Sequence, residues 1–399
     1  KNYFSKIFFS VVTNFMQNAR ILIPKIDNTK FGRFPAFMSS WKVASNKSPI
    51  VYNKSPISLL FFLNEYKNTY FYHMIVNLFR RTQAVSILSV LLLCIFFWMG
   101  VSFHQTPLYS FSWSPLFDFL ISPIHKFTLL EKTLTTALVF WQCLYVNKII
   151  VGQKIISTNS FYPAFFYLLI LSFWPGVLNL SSDLVAVSFI LIAIHTTFST
   201  YLSRDAYSQI FKISFYLSLA TLLHPPFFVF IPLCWIGMSI FSQVEWRHWV
   251  LSVIAIASPW IVLISFCTYF NIQQLELHHF CKFIFADELT TTFTSNTRVS
   301  LLVLGFLFLI SIYELIRSLN RKSIKARKSY IFIVWVTVLF IPYSYLNPSY
   351  IWNEFVIFSI PFSIIISNYF YYSIRSTWLN FMGFVLFALL FISHYCSVN

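Results

Sequence analysis

Glycine and charge are both scarce in this chain, and each shortage removes a class of structure. Seven glycines in 399 residues are too few for a membrane β-barrel, whose strands of about ten residues alternate in polarity and turn often. Charged residues make up 10%, against about 25% in soluble domains, so most of the surface is not built to meet water. Acids are the scarcer sign, twelve against twenty-eight Lys and Arg. The six cysteines (Cys94, Cys143, Cys234, Cys267, Cys281 and Cys396) form no CxxC pair. Four of them sit inside apolar runs, where a thiol behaves as a small buried hydrophobe. The signatures of soluble enzymes are missing too: no Walker loop, GxGxxG, GxSxG or HExxH occurs.

Apolar residues fill the space those absences leave, at 58% of the chain. A helix crossing a hydrocarbon core of about 30 Å needs roughly 20 of them, and a helix satisfies its own backbone there. The sequence predicts an all-α, polytopic transmembrane bundle of about eleven spans: Ala84–Val101, Thr133–Val151, Phe161–Leu178, Leu184–Thr200, Ile210–Leu223, Pro226–Phe241, Trp249–Phe270, Val299–Ile316, Tyr330–Leu346, Ile351–Ile366 and Leu379–His394. Around His224-Pro225-Pro226 the pattern fits two spans meeting at a tight turn or one long broken helix. Trp98, Trp113, Trp246, Trp249, Tyr330, Tyr350, Trp352 and Trp378 fall near span ends, where an interfacial aromatic belt is expected.

The turns between spans alternate in charge. Placing Arg80-Arg81 in the cytoplasm gives inner turns with twelve Lys and Arg against Asp205 and Glu245. The outer turns then hold four cations, Lys126, Lys132, Lys282 and Arg298, against seven acids. The positive-inside rule therefore puts the amino end in the cytoplasm and the carboxyl end outside. Cations spread through short turns are a mark of membrane orientation, and nucleic acid is not expected as a partner. The densest group, Arg317, Arg321, Lys322, Lys325, Arg327 and Lys328, is expected to contact lipid of the inner leaflet.

Residues 1–83 differ from the transmembrane domain of 84–399. They are basic, lack long apolar runs, and are expected to form no globular unit. Two readings stay open for them: a basic cytoplasmic arm lying on the membrane surface, or sequence upstream of a natural start at Met74, whose Ile-Val-Asn-Leu-Phe-Arg-Arg would be the short head before the first span.

Ionisable groups inside a membrane are the usual functional suspects. Glu314, three residues before Arg317, is expected to form a helix-face ion pair. His195, among Thr196, Thr197 and Ser199, reads as a packing histidine. The outer face is richer. Asp118 sits in Leu-Phe-Asp-Phe-Leu within the long first outer loop, as on a short interfacial helix with one carboxylate turned to the protein. Asp183 follows Ser181-Ser182 and suits a helix N-cap. His224 lies at the turn before two prolines, and Glu354 one turn into its span. Glu276, His278, His279 and Cys281 match no structural zinc spacing, and no metal site is assigned.

The order of these features resembles the membrane-embedded C-type glycosyltransferases that use polyprenyl-phosphate sugars. The likeness is carried by the first outer loop with Asp118 and by Leu178-Asn-Leu-Ser-Ser-Asp183 leading into Leu-Val-Ala-Val-Ser-Phe-Ile, over roughly residues 74–270. It implies Asp118 as catalytic base or metal-associated carboxylate, Asp183, His224 and Glu354 in support, a divalent cation, and a polyprenyl-phosphate sugar drawn from the surrounding lipids. The chain departs from that pattern in having one acid in the loop instead of a pair. Leu222-Leu-His-Pro-Pro-Phe-Phe-Val-Phe-Ile-Pro-Leu-Cys-Trp-Ile236 and Val244-Glu-Trp-Arg-His-Trp249 are similar to an uncharacterised family of bacterial multi-pass inner-membrane proteins. The expected role is cell-envelope glycoconjugate biogenesis at the outer face. A non-enzymatic scaffold or assembly subunit and, behind it, a transporter remain the alternatives.

Overall fold

In the computed structural model the described residues are 84–100, 127–156, 160–173, 180–201, 206–242, 245–270, 295–346 and 351–372, with 79, 117, 203, 382–383 and 385–386. All of them fall in the unit Tyr66–Asn399. Ten α-helices run in chain order: α1 Ala84–Gly100, α2 Thr128–Gly152, α3 Tyr162–Ser172, α4 Ser182–Ser199, α5 Ala206–Leu223, α6 Leu233–Phe241, α7 Trp246–Phe270, α8 Ser295–Ser318, α9 Ile324–Leu346 and α10 Ile351–Tyr372. Short 3-10 turns over Pro225–Phe230 and Leu319–Arg321 precede α6 and α9. No strand occurs among the described residues.

Among the described residues, four helices are long and apolar enough to cross a membrane: Thr128–Gly152, Ser182–Ser199, Trp246–Phe270 and Leu302–Arg321. Ala84–Trp98, Tyr162–Ser172, Pro225–Phe241 and Val356–Tyr372 are apolar but shorter. In place of eleven full spans, the described residues show an all-helical architecture with four candidate membrane helices. Of the third expected span, Phe161–Leu178, a helix covers Tyr162–Ser172, and 174–178 lie outside the described residues, as do most of Leu379–His394, Met74 and residues 1–73.

The sixth expected span also changes character. Pro225 and Pro226 supply no N–H, and the residue before a proline avoids the α region. His224 accordingly takes φ −139°, ψ 93°, a 3-10 turn follows, and α-helix resumes after Pro232. The contacts show a reversal of direction at this break. His224 meets Ser182 at the start of α4, whereas Phe241 meets Phe198 at its end. The chain thus returns along α4 after the break.

Helix α4 is the axis of the bundle, packed by α5, α2, α6 and α10. Small side chains allow it: Ala186, Ser188 and Ala193 are buried in its length. Gly237 of α6 comes so close that a Cβ there would stand 2.7 Å from Thr197 Cγ2. Hydroxyls inside the helices turn back on the preceding turn, as Thr135 does to Glu131 O at 2.8 Å and Thr197 to Ala193 O at 2.8 Å. The peripheral helices are one-sided. On α7 the buried set His248, Ser252, Ala255, Pro259 and Leu263 forms a single stripe facing α5, while Val253, Ile254, Ile261 and Val262 are exposed. An exposed apolar face of that extent is suited to lipid.

Two aromatic assignments are corrected. Trp98 and Tyr330, expected at an interface, are buried in the core, because neighbouring helices cover the span ends that carry them. Trp246 and Trp249 remain exposed.

Candidate functional site

The break at His224 creates the most connected polar group at one end of the bundle. With α5 ended at Leu223, the imidazole turns inward. Its Nδ1 lies 3.4 Å from Ser182 Oγ and its Nε2 3.3 Å from Tyr343 Oη. A neutral ring donates from one nitrogen and accepts at the other, so one histidine joins the end of α5 to the start of α4 and the far end of α9. Phe227 sits edge-on to the ring at 4.5 Å and also packs on Tyr343. His224 is 3% exposed and Tyr343 1%; the cluster is closed.

Asp183, the residue after Ser182 in α4, is buried as well, 1% exposed. The N-cap position belongs to Ser181 and Asp183 is second in the helix, which corrects the N-cap assignment. A carboxylate in the first turn still complements the helix dipole. Its Oδ2 nevertheless has no hydrogen-bond partner, an expensive condition for a buried carboxylate. On α2, buried Glu131 accepts the Leu180 N–H at 3.3 Å, tying the approach to α4 at the same end.

One layer deeper, Gln142 is fully buried and fully used. It donates to Leu184 O at 2.8 Å and Ser188 Oγ at 2.9 Å, and accepts from Tyr167 Oη at 3.0 Å. These bonds join α2, α3 and α4. Sequence reasoning passed over Gln142, Tyr343 and Glu131. The available signal was a lone amide or acid within an apolar helix.

The opposite end is cationic. Tyr330 and Tyr343 on α9 are separated by about 20 Å at 1.5 Å per residue, and Tyr330 belongs to this second cluster. Asn368 Oδ1 accepts from Tyr330 Oη at 2.9 Å and from Lys322 Nζ at 2.8 Å. The ammonium also lies 4.0 Å from the Tyr372 ring centroid and 4.9 Å from that of Tyr330. Partial burial pushes Lys322 down to about 8. Lys328 lies over Tyr201, 5.4 Å from its centroid, which places the start of α9 beside the end of α4. Nearby, Tyr207 Oη donates to Glu245 Oε2 at 2.9 Å, and the Glu245 N–H donates to His248 Nδ1 at 3.0 Å.

Of the expected site residues, His224 is brought against Ser182, the residue before Asp183 in α4. Asp118 lies outside the described residues, as does the Glu276–Cys281 segment. Glu354 falls in the first turn of α10, and its side chain is outside what is described. No ion pair joins Glu314 and Arg317 among the described residues, although their three-residue spacing permits one. His195 lies 3.2 Å from Tyr145 Oη and packs on that ring, as suits a packing histidine. His224 commits both nitrogens to neighbours, and no three His, Cys, Asp or Glu among the described residues gather closely enough to hold a metal ion.

The chain belongs to a family of unknown function, DUF6427, whose model matches residues 102–398. No curated protein and no solved structure matches it.

Proposed function

We propose that this DUF6427 member is a multi-pass protein of the bacterial inner membrane, with about eleven passes, its amino end in the cytoplasm and its carboxyl end outside. The shorter apolar helices complete the passes together with their neighbours. The cationic end faces the cytoplasm, in keeping with the positive-inside rule. The end holding Asp183, His224, Ser182 and Tyr343 faces outward.

At that outer end the chain acts in envelope glycoconjugate biogenesis as a glycosyltransferase-like protein drawing on a polyprenyl-phosphate sugar. Asp118 is the reacting carboxylate, and Asp183, His224 and Glu354 support it. The observation that supports this reading is the meeting of His224 with Ser182, next to an Asp183 oxygen left without a partner. Polar side chains are retained inside apolar helices chiefly where they serve a function.

A scaffold or assembly role is the second reading. It is favoured by the closure of the same cluster, in which Ser182, Asp183, His224 and Tyr343 are each at most 3% exposed. Sugar transfer from polyprenyl-phosphate donors by the purified protein in vesicles separates the two. The enzyme reading expects turnover by the wild type and none by Asp118→Asn, with both equally stable to unfolding. Undiminished turnover by Asp118→Asn would remove that residue from the chemistry. A silent wild type that co-purifies with a stoichiometric partner would support the scaffold.

A further inference from the structure

The six cations around the α8–α9 turn are of two kinds. Lys322 is taken up by Asn368, Tyr330 and Tyr372, and Lys328 by Tyr201. Arg317, Arg321, Lys325 and Arg327 have no side-chain hydrogen bond, ion pair or ring contact among the described residues. Arg317 and Arg321 are exposed, Lys325 and Arg327 half-buried. Helices α8 and α9 both pack on α10 and touch each other little beyond the turn. Exposed apolar side chains run up to the cations from both sides: Leu309, Tyr313 and Ile316 on α8, Ile324 and Ile331 on α9.

We infer that this turn is a binding site for the phosphate of an anionic phospholipid, held by Arg317, Arg321, Lys325 and Arg327, with the acyl chains lying on the exposed faces of α8 and α9. A guanidinium fork matches phosphate oxygens, and the apolar approach singles out a lipid over a free ion. Lys322 and Lys328 are excluded from it, since each is already held by the protein. Each free cation contributes about fivefold to the preference for an anionic headgroup. The site rests on the membrane reading proposed above.

The test uses the full chain in nanodiscs of phosphatidylcholine mixed with phosphatidylglycerol, with retained lipid counted by mass spectrometry. The wild type is expected to enrich phosphatidylglycerol at least tenfold, and millimolar inorganic phosphate is expected not to displace it. The quadruple change of Arg317, Arg321, Lys325 and Arg327 to Gln abolishes the enrichment, while Lys322→Gln keeps it. If the quadruple variant does not fold, the pair Arg317→Gln and Arg321→Gln is expected to lose most of the preference. Retained enrichment in either variant overturns the site, as does full displacement by inorganic phosphate. A wild type that does not enter the discs rejects the membrane reading itself, which the lipid count keeps distinct from loss of headgroup preference.

Discussion

At one end of the bundle, His224, Ser182 and Tyr343 are occupied with one another and hidden from outside. At the other, Arg317, Arg321, Lys325 and Arg327 meet no partner among the described residues and lie wholly or partly exposed. The contrast follows from chemistry. Neutral polar groups can be buried if each finds a hydrogen bond, whereas an ammonium or guanidinium far from any carboxylate must stay near water or phosphate. Lys322 marks the limit: it enters the protein only because two tyrosine faces and an amide oxygen receive it.

The contrast can be broken most sharply at His224. His224→Ala removes a buried ring and strands Ser182 or Tyr343, and is expected to cost roughly 2–4 kcal/mol of unfolding free energy. The half-buried His195, changed to Ala, should cost well under half as much. Equal losses in equilibrium unfolding would mean that the His224 cluster holds nothing together.

Asp183→Asn tests the unpartnered oxygen. An amide of the same shape avoids a buried charge, so the variant should be about 1–2 kcal/mol more stable than the wild type while losing any outer-face activity. A destabilised variant would show that the carboxylate is paired after all.

Smaller effects are expected at the cationic end. Lys322→Gln should cost about 1 kcal/mol, and Lys325→Gln no more than about 0.5 kcal/mol. The pH dependence sharpens the difference. Burial lowers Lys322 from 10.5 to about 8 in the folded chain. Between those two values the unfolded chain holds a proton that the folded chain has released, so stability rises with pH across that window and is flat below it. Lys322→Gln should remove the rise seen by unfolding titrations between pH 8 and 10.5. A rise that persists in the variant would assign it elsewhere.

The axis of the fold was legible because local signals mark it. Ser181-Ser182-Asp183 ahead of a long apolar run placed the start of α4 within two residues, and Pro225-Pro226 announced the break. Neighbouring helices then altered what local signals imply. Trp98 is drawn into the core. Of the candidate site, His224 and Asp183 were legible as polar residues at helix ends. Their neighbours were not. Tyr343 lies 119 positions from His224, and Gln142 finds its partners 25 to 46 positions away, pairings to which no local pattern points. The cations posed the reverse problem: six looked alike in sequence, and packing alone set Lys322 and Lys328 apart.

The two ends are proposed to face opposite sides of a bilayer. The direct measurement is labelling of single cysteines by a membrane-impermeant maleimide in intact cells, in a background without the native cysteines. Phe127→Cys, at an exposed position before α2, is expected to react in intact cells. Ser323→Cys, exposed in the cationic turn, is expected to react only after the cells are opened. Labelling of Ser323→Cys in intact cells would contradict the orientation and, with it, the assignment of the His224 cluster to the outer face.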